Sequence, residues 1–222
     1  METLAEENYL KAIQRLEEDG KKGASTNDIA RRLNTKASSV TDMMKRLADK
    51  KLVVYEKYKG ARLTASGLKV ALRITRKHRL WEVFLVDKLG FKWHEVHEIA
   101  EQLEHIQSPE LTNRLDKFLG FPRFDPHGDP IPDADGNIKT RPAMILLSEC
   151  EKGKSGTIVG VQDSSDVFLK HLEKMGLVLG TKVEILNKHE YDDSMEIRIN
   201  GKTQLTLTHR VAKNLCVVEI KE

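Results

Sequence analysis

Between His78 and His105 the chain reads HRLWEVFLVDKLGFKWHEVHEIAEQLEH, and a few side chains in this stretch constrain everything else. His78 and Glu82 stand at i and i+4, and His97, Glu101, Glu104 and His105 stand at i, i+4, i+7 and i+8. On an α-helix each set falls on one face. Three imidazoles and three carboxylates then point from two helices toward a shared space. Carboxylates crowded in this way repel unless a cation stands among them. The spacing therefore predicts a transition-metal site between two helices. A lone His–Glu pair one turn apart is ordinarily just an ion pair, but six such residues in two clusters are harder to dismiss.

The 222 residues are 39% hydrophobic, 32% charged and only 5% aromatic, a soluble and helix-leaning composition with room for two to three small domains. No apolar run approaches the ~18 residues needed to span a bilayer. The opening METLAEENYLKAIQRLEED is acidic and amphipathic, unlike a signal peptide. Cys150 and Cys216 stand in no metal or redox spacing and read as thiols of a reducing cytoplasm. The net charge is only +3, yet from Lys36 to Arg79 thirteen Lys and Arg face three Asp and Glu, a local excess of ten positive charges. Such an excess is the electrostatic footprint of a polyanion binder, although a solvated helix face can also look basic.

In chain order, Leu4, Tyr9, Leu10, Ile13 and Leu16 have helical spacing, and Gly20 and Gly23 follow. Ser25-Thr26-Asn27-Asp28 offers an N-cap for a short helix, IARRLN, and a longer helix, ASSVTDMMKRLADKKL, comes after a tight turn. This is the helix-turn-helix order. LVVYEKYKGARLT then reads as a two-stranded hairpin turning at Lys59-Gly60, so the segment is a winged helix-turn-helix. Ser38, Ser39 and Thr41 would present small polar groups at the exposed end of the recognition helix, unless Ser38 merely caps it. Thr26, Lys36, Lys45, Lys57 and Lys59 would flank them as DNA contacts, the lysines on phosphates. A long helix follows Thr64-Ala65-Ser66-Gly67 and ends near Leu89-Gly90; the next is expected from near Lys92-Trp93 to His105 or Ile106. Ser108-Pro109 opens a third helix, and these helices are apolar enough for a dimer interface. Residues 120–142 hold five of the six prolines and read as a linker, in which His127 is a turn histidine of the kind that usually binds nothing. Beyond residue 150, TIVGVQD, KVEILNKH, MEIRIN and LCVVEI read as strands and VFLKHLEKMG as a helix, the pattern of a small SH3-like barrel.

At this point ENYLKAI, SSVTDMMKRLADKKLV, YEKYKGARLT, KHRLWEVFL, VHEIAEQLEH, DPHGDPIP and EKMGLVLGTKVEI stand in one order along essentially the whole chain. In that order they resemble the diphtheria-toxin-repressor family of metal-dependent transcriptional regulators. The resemblance implies a mainly α fold with a small β portion. Its parts would be a winged helix-turn-helix over 1–64, a helical dimerisation and metal-binding domain with its linker over 65–142, and an SH3-like (FeoA-like) domain over 150–222. It implies two metal sites: an ancillary set of His78, Glu82 and His97, and a regulatory set of Glu101, Glu104 and His105 completed from the first helix at Asn8. Asp163 and Asp166, three apart, fall where the SH3-like domain can complete the ancillary site. Asn8 departs from the family, whose members have methionine or aspartate there. Lys11 stands where some manganese-sensing relatives have a glutamate, which argues against a close metal pair built as theirs is.

Carboxylate, amide and imidazole donors with no thiolate or thioether favour Mn²⁺, with Fe²⁺ as the alternative. The expected protein is therefore a cytoplasmic, metal-activated DNA-binding repressor. Its partners would be double-stranded operator DNA and a second copy of itself, with no membrane and no small-molecule substrate. Two other readings compete. One is a winged-helix regulator without a metal switch. The other is a metallohydrolase, opposed by the absence of HExxH, of the reversed HxxEH pattern and of any nucleophile motif. No enzyme activity is expected.

Overall fold

The computed structural model describes residues 2–18, 20, 23–56, 59–139 and 143–219. Contacts divide the chain into two compact units. One comprises Met1–His78, Glu101–Asn113 and Pro132–Asn137; the other comprises Arg79–Ala100, Arg114–Ile131 and Ile138–Glu222.

The first unit begins with α1 (Leu4–Glu18), α2 (Thr26–Arg32) and α3 (Ala37–Asp49). Ser25 caps α2: its hydroxyl accepts from the Asp28 amide at 3.1 Å and donates to the Asp28 carboxylate at 2.8 Å. The hairpin of β1 (Val53–Glu56) and β2 (Gly60–Leu63) pairs antiparallel with Val53 opposite Leu63 and Glu56 opposite Gly60, completing the wing. Leu10, Ile13, Ile29, Val40, Met44 and Leu47 are fully buried beneath it together with Ile74 of α4 (Ala65–Asp87). Each large side chain so buried contributes roughly 1.5–3 kcal/mol. Gln14 of α1 accepts a buried hydrogen bond from Thr75 of α4 at 2.7 Å.

The start of α4 is pressed onto the end of the recognition-helix segment. A Cβ on Gly67 would stand 1.9 Å from the Leu52 carbonyl oxygen. Backbone cannot yield by that much, so Gly67→Ala is expected to cost about 2–3 kcal/mol, read as an earlier urea midpoint for the winged domain.

In the second unit the remainder of α4 meets α5 (His97–Leu103) and α6 (Pro109–Phe118) where those helices fall within it. Leu85, Val96 and Ala100 form one apolar group, and Leu80, Val83, Leu115 and Ile131 another. Trp81 and Phe84 meet edge to face at 5.8 Å, and Phe118 lies 6.3 Å from Phe84 while remaining 64% exposed. Helix α5 is shorter than the sequence pattern predicts. Lys92–Val96 are not helical because Trp93 is buried in the apolar core of the C-terminal strands instead of on a helix face.

Those strands are β3 (Ile145–Leu146), β4 (Ser155–Val161), β5 (Lys182–Lys188), β6 (Met195–Ile199), β7 (Thr203–Leu207) and β8 (Leu215–Glu219). They form an antiparallel sheet in the order β3-β8-β4-β5-β6-β7, with register shifts at Ile158/Gly160 and Ile185/Asn187 that bend it. Helix α7 (Asp166–Lys174) buries Leu169 and Leu172 against it, and α8 (His209–Ala212) buries Val211 and Ala212. The fold is a winged helix-turn-helix, a helical region, and an SH3-like C-terminal domain built on the six-stranded antiparallel sheet. No described helix is long and apolar enough to cross a membrane.

Candidate metal centres and nucleic-acid interface

Among the described residues, chelating side chains are gathered within each unit. In the first, Glu104 and His105 sit just past the last turn of α5. Glu104 is 1% exposed. Its Oε2 accepts from Lys11 Nζ at 2.6 Å and lies 2.6 Å from His78 Nδ1. Burial pushes its carboxyl up, but the bond from His78 and the Lys11 charge outweigh this and hold it below the usual carboxylate range. His105 stands between two acids, with Nδ1 2.7 Å from Glu7 Oε2 and Nε2 3.9 Å from Glu104 Oε1. Gln107 donates to the other Glu7 oxygen at 2.8 Å. Glu7 is buried, whereas Asn8 is exposed. One residue along a helix is a turn of about 100°, and it is Glu7 that this rotation aims at His105. The resemblance directs attention to Asn8; the structure brings its neighbour to the cluster. Glu101, one turn before His105 on α5, is exposed.

The second group combines Glu82 of α4 with Asp125 and His127 from the DPHGD turn. All three are buried, and one donor atom from each lies within 4.8 Å of the others. His127 Nε2 donates to the Trp93 carbonyl at 2.8 Å, which leaves Nδ1 facing Glu82 Oε2 at 3.7 Å and Asp125 Oδ1 at 4.0 Å. A backbone carbonyl that accepts from one ring nitrogen and so fixes the tautomer is the usual support of a metal-binding imidazole. Asp125 Oδ1 also accepts from the amides of His127 and Asp129 at 2.8 and 2.9 Å, folding the turn on itself. Gly128, at φ +88°, lies so close to β4 that a Cβ would stand 2.1 Å from the Val159 carbonyl oxygen. His97 approaches the same group with Nδ1 3.5 Å from Glu82 Oε1, and its side chain is 55% exposed. Two oxygens and a nitrogen suit a hard or borderline divalent cation, so the residues fit a metal of the kind the donor set predicts.

The electrostatics of this group set a pH dependence. Burial lowers the affinity of the His127 imidazole for a proton, but the Glu82 and Asp125 carboxylates and the Trp93 carbonyl outweigh burial and raise its pKa to about 9. Burial, with Glu82 and Asp129 adding repulsion, raises Asp125 to about 6. Both groups hold protons more tightly folded than unfolded. The stability contributed by His127 is thus complete below its unfolded pKa of 6.5 and disappears as pH rises through about 9. Asp125 likewise loses stabilisation as pH rises from 3.8 to about 6. A divalent ion must displace the His127 proton, so between about pH 6 and about pH 9 its affinity at this group should rise about tenfold per pH unit. The thermal gain from Mn²⁺ is therefore expected to be larger at pH 8 than at pH 7, by scanning fluorimetry; a gain that shrinks with pH would contradict the assignment.

Asp163 and Asp166 serve local geometry. Asp163 accepts from the Ser165 amide at 2.9 Å, and Asp166 opens α7 with Lys170 Nζ 3.9 Å away. Neither belongs to the three-donor groups found among the described residues.

At the other end of the first unit, α3 starts from Lys36, whose side chain makes no cap bond. Ser38 and Ser39 follow it inside the helix and are exposed, so neither is the capping residue. Thr41 is half-buried and donates back to the Ala37 carbonyl at 3.0 Å. Lys36, Lys45 and Lys59 are exposed, Lys45 with Asp42 at 3.7 Å and Lys59 with Glu56 at 2.7 Å. Exposed pairs of this kind are worth little and exchange readily for phosphate. Thr26, the first residue of α2, is half-buried, and Lys57 lies outside the described residues.

Sequence reasoning passed over Glu7 and Asp125, and set His127 aside as a turn residue. The available signal was DPHGD itself, where an acid and an imidazole two apart precede a glycine that permits close approach to a strand.

Comparison with known proteins covers nearly the whole chain. Residues 2–61 match the iron dependent repressor N-terminal DNA binding domain, 64–133 the iron dependent repressor metal binding and dimerisation domain, and 145–219 the FeoA domain. The iron-dependent repressor IdeR of Mycobacterium leprae is 31% identical, with 96% of each chain covered. The diphtheria toxin repressor of Corynebacterium diphtheriae is 36% identical over 88% of this chain and 89% of its own. Among solved structures, a manganese-dependent transcriptional repressor in complex with manganese superposes with a TM-score of 0.84 at 35% identity, covering 97% of this chain and all of that one. The IdeR of T. acidophilum superposes at 0.74 with 30% identity, covering 99% and 100%.

Proposed function

Because the chain belongs to the iron-dependent (diphtheria toxin) repressor family of metal-dependent transcriptional repressors, we propose that it is a cytoplasmic homodimeric repressor whose operator affinity is set by Mn²⁺, with Fe²⁺ as the alternative ion. The observation that carries this reading is the pairing of Glu7 on α1 with His105 at 2.7 Å, beside buried Glu104. A divalent cation would supply the positive charge that lets these carboxylates stand together. The chain's part is to bring α1, which packs directly on the DNA-reading helices, to the same acids and imidazole that a cation would need. Glu7, Glu104 and His105 are the regulatory ligands in this reading, with Glu101 and Asn8 at its exposed margin. Glu82, Asp125 and His127 form the second site, with His97 beside it; His78, which the resemblance places with Glu82 and His97 in an ancillary set, also lies 2.6 Å from Glu104 Oε2. The absence of any thiolate or thioether from either group supports Mn²⁺ over softer ions. Ser38, Ser39 and Thr41 would enter the major groove, with Lys36, Lys45, Lys57 and Lys59 on phosphates and Thr26 beside the α2 start. Two copies meeting through the exposed Phe118 and neighbouring aromatic residues would present two recognition helices about 34 Å apart, one turn of DNA.

The test is an operator-binding titration by fluorescence anisotropy at fixed salt, with Mn²⁺, with Fe²⁺ under anaerobic conditions, and after chelation. Affinity should fall by between about 5- and 150-fold on chelation, the range of ordinary allosteric coupling. Equal affinities would remove the metal switch, and a response to Fe²⁺ alone would reverse the choice of ion.

A further inference from the structure

The regulatory group contains a lysine where an all-acid and imidazole cluster would be expected. Lys11 stands one turn after Glu7 on α1, and its side chain is only 21% exposed. Its Nζ lies 2.6 Å from Glu104 Oε2 and 3.1 Å from His78 Nδ1, while those two atoms lie 2.6 Å from each other. The triangle cannot be satisfied by protons alone. If His78 Nδ1 carries a hydrogen, it donates to Glu104 and then opposes the ammonium; if it is bare, it accepts from Lys11 and opposes the carboxylate. A carboxylate oxygen and an imidazole nitrogen turned onto one positive centre is the way ligand atoms surround a cation. The other nearby lysine is held elsewhere, as Lys77 Nζ reaches the Ile106 carbonyl at 3.5 Å. Among the described residues, Glu7, Glu104 and His105 are also not drawn into as tight a donor set as Glu82, Asp125 and His127.

We propose that Lys11 is a built-in competitor for the regulatory metal: its ammonium occupies the position between Glu104 and His78, must leave when a divalent ion takes Glu104, and leaves room for one ion and not two. This rests on the regulatory reading of Glu7, Glu104 and His105 above. The chain thereby carries its own threshold. The ion must outcompete a tethered cation before α1 is committed, so Lys11 raises the free metal concentration at which the switch is thrown. No proton or electron transfer is involved; one cation exchanges for another at a buried carboxylate.

The experiment uses full-length protein in a Glu82→Ala background, which removes the carboxylate on which every three-donor group found among the described residues depends, and follows Mn²⁺ by electron paramagnetic resonance. The parent should bind one ion per subunit with the six-line spectrum of an isolated Mn²⁺. Lys11→Gln should bind it about tenfold more tightly, the effect of removing a like charge within a few ångström. Lys11→Arg, which keeps the charge, should remain close to the parent, and it also serves if the glutamine variant folds poorly. Lys11→Glu should admit a second ion and give the broadened spectrum of an exchange-coupled pair. Weaker or unchanged affinity in Lys11→Gln would overturn the competitor role, as would equal tightening in Lys11→Arg. Two coupled ions in the parent would overturn the one-ion limit. If the parent binds no Mn²⁺ and Glu104→Gln changes nothing, the regulatory assignment itself falls and the Lys11 proposal falls with it.

Discussion

Glu104→Gln is expected to abolish the metal response: operator affinity in saturating Mn²⁺ should fall to the chelated level, a loss on the order of a hundredfold. Glutamine preserves the shape of the side chain and removes its charge, so packing is held nearly constant. What changes is the balance around it. Glu104 is 1% exposed and holds both Lys11 Nζ and His78 Nδ1 at 2.6 Å. Removing one partner of a buried ion pair leaves the other uncompensated. Lys11 retains some solvent contact, so the expected cost to the chelated protein is at the lower end, about 2–3 kcal/mol. Anisotropy measures the loss of response and urea denaturation measures the stability. A variant that remains fully Mn²⁺-responsive would place the switch elsewhere in the chain.

The second large effect is expected at Gly128. Its φ of +88° already disfavours any side chain, and a Cβ would stand 2.1 Å from the Val159 carbonyl oxygen and 2.6 Å from the Gly160 Cα. Both obstacles are backbone, so the turn itself must move. Gly128→Ala should cost about 3 kcal/mol or more, the sum of a left-handed alanine and an overpacked contact. The displaced turn carries Asp125 and His127 away from Glu82, so Mn²⁺ bound at that group should be lost as well. Gly120→Ala provides the control: its φ is +76°, yet nothing lies within 4 Å of the added Cβ. That change should cost only about 1–2 kcal/mol and leave metal binding intact. Parallel thermal melts and Mn²⁺ counts on the two variants check this; similar losses in both would mean that close approach to β4 does not position the turn.

The winged domain was legible because its signals are local. Ser25 and Asp28 cap α2, Gly60 turns the hairpin, and Val40, Met44 and Leu47 repeat at helical spacing. The C-terminal sheet was partly legible. Strands β4, β5, β6 and β8 carry runs of buried Val and Ile, whereas β7 (TQLTL) lies at the sheet edge, mostly exposed, and has no such run. Helix α5 was over-read at its start, near Lys92-Trp93, because Trp93 is buried among the strands. The metal groups were legible only in part. Glu82, Glu104 and His105 stand out by spacing, but choosing between Glu7 and Asn8 depends on the rotation of α1. His127 is brought beside Glu82 by the turn whose Gly128 seats closely against β4. Such tertiary contacts leave no periodic trace in the chain.

Helix α1 has a further property in its first turns. Glu6 is fully buried and reaches the far end of α3, where Lys50 Nζ donates to it at 2.8 Å and Arg46 lies at 3.4 Å. Glu7, the next residue, reaches His105. The side chain that grips the DNA-reading helix and the side chain that meets the sensor are thus separated by one peptide bond. If Glu7 and His105 hold the regulatory ion as proposed, no extended relay is needed between metal and DNA, because a shift of this one turn moves the contact with Lys50 and the contact with His105 together.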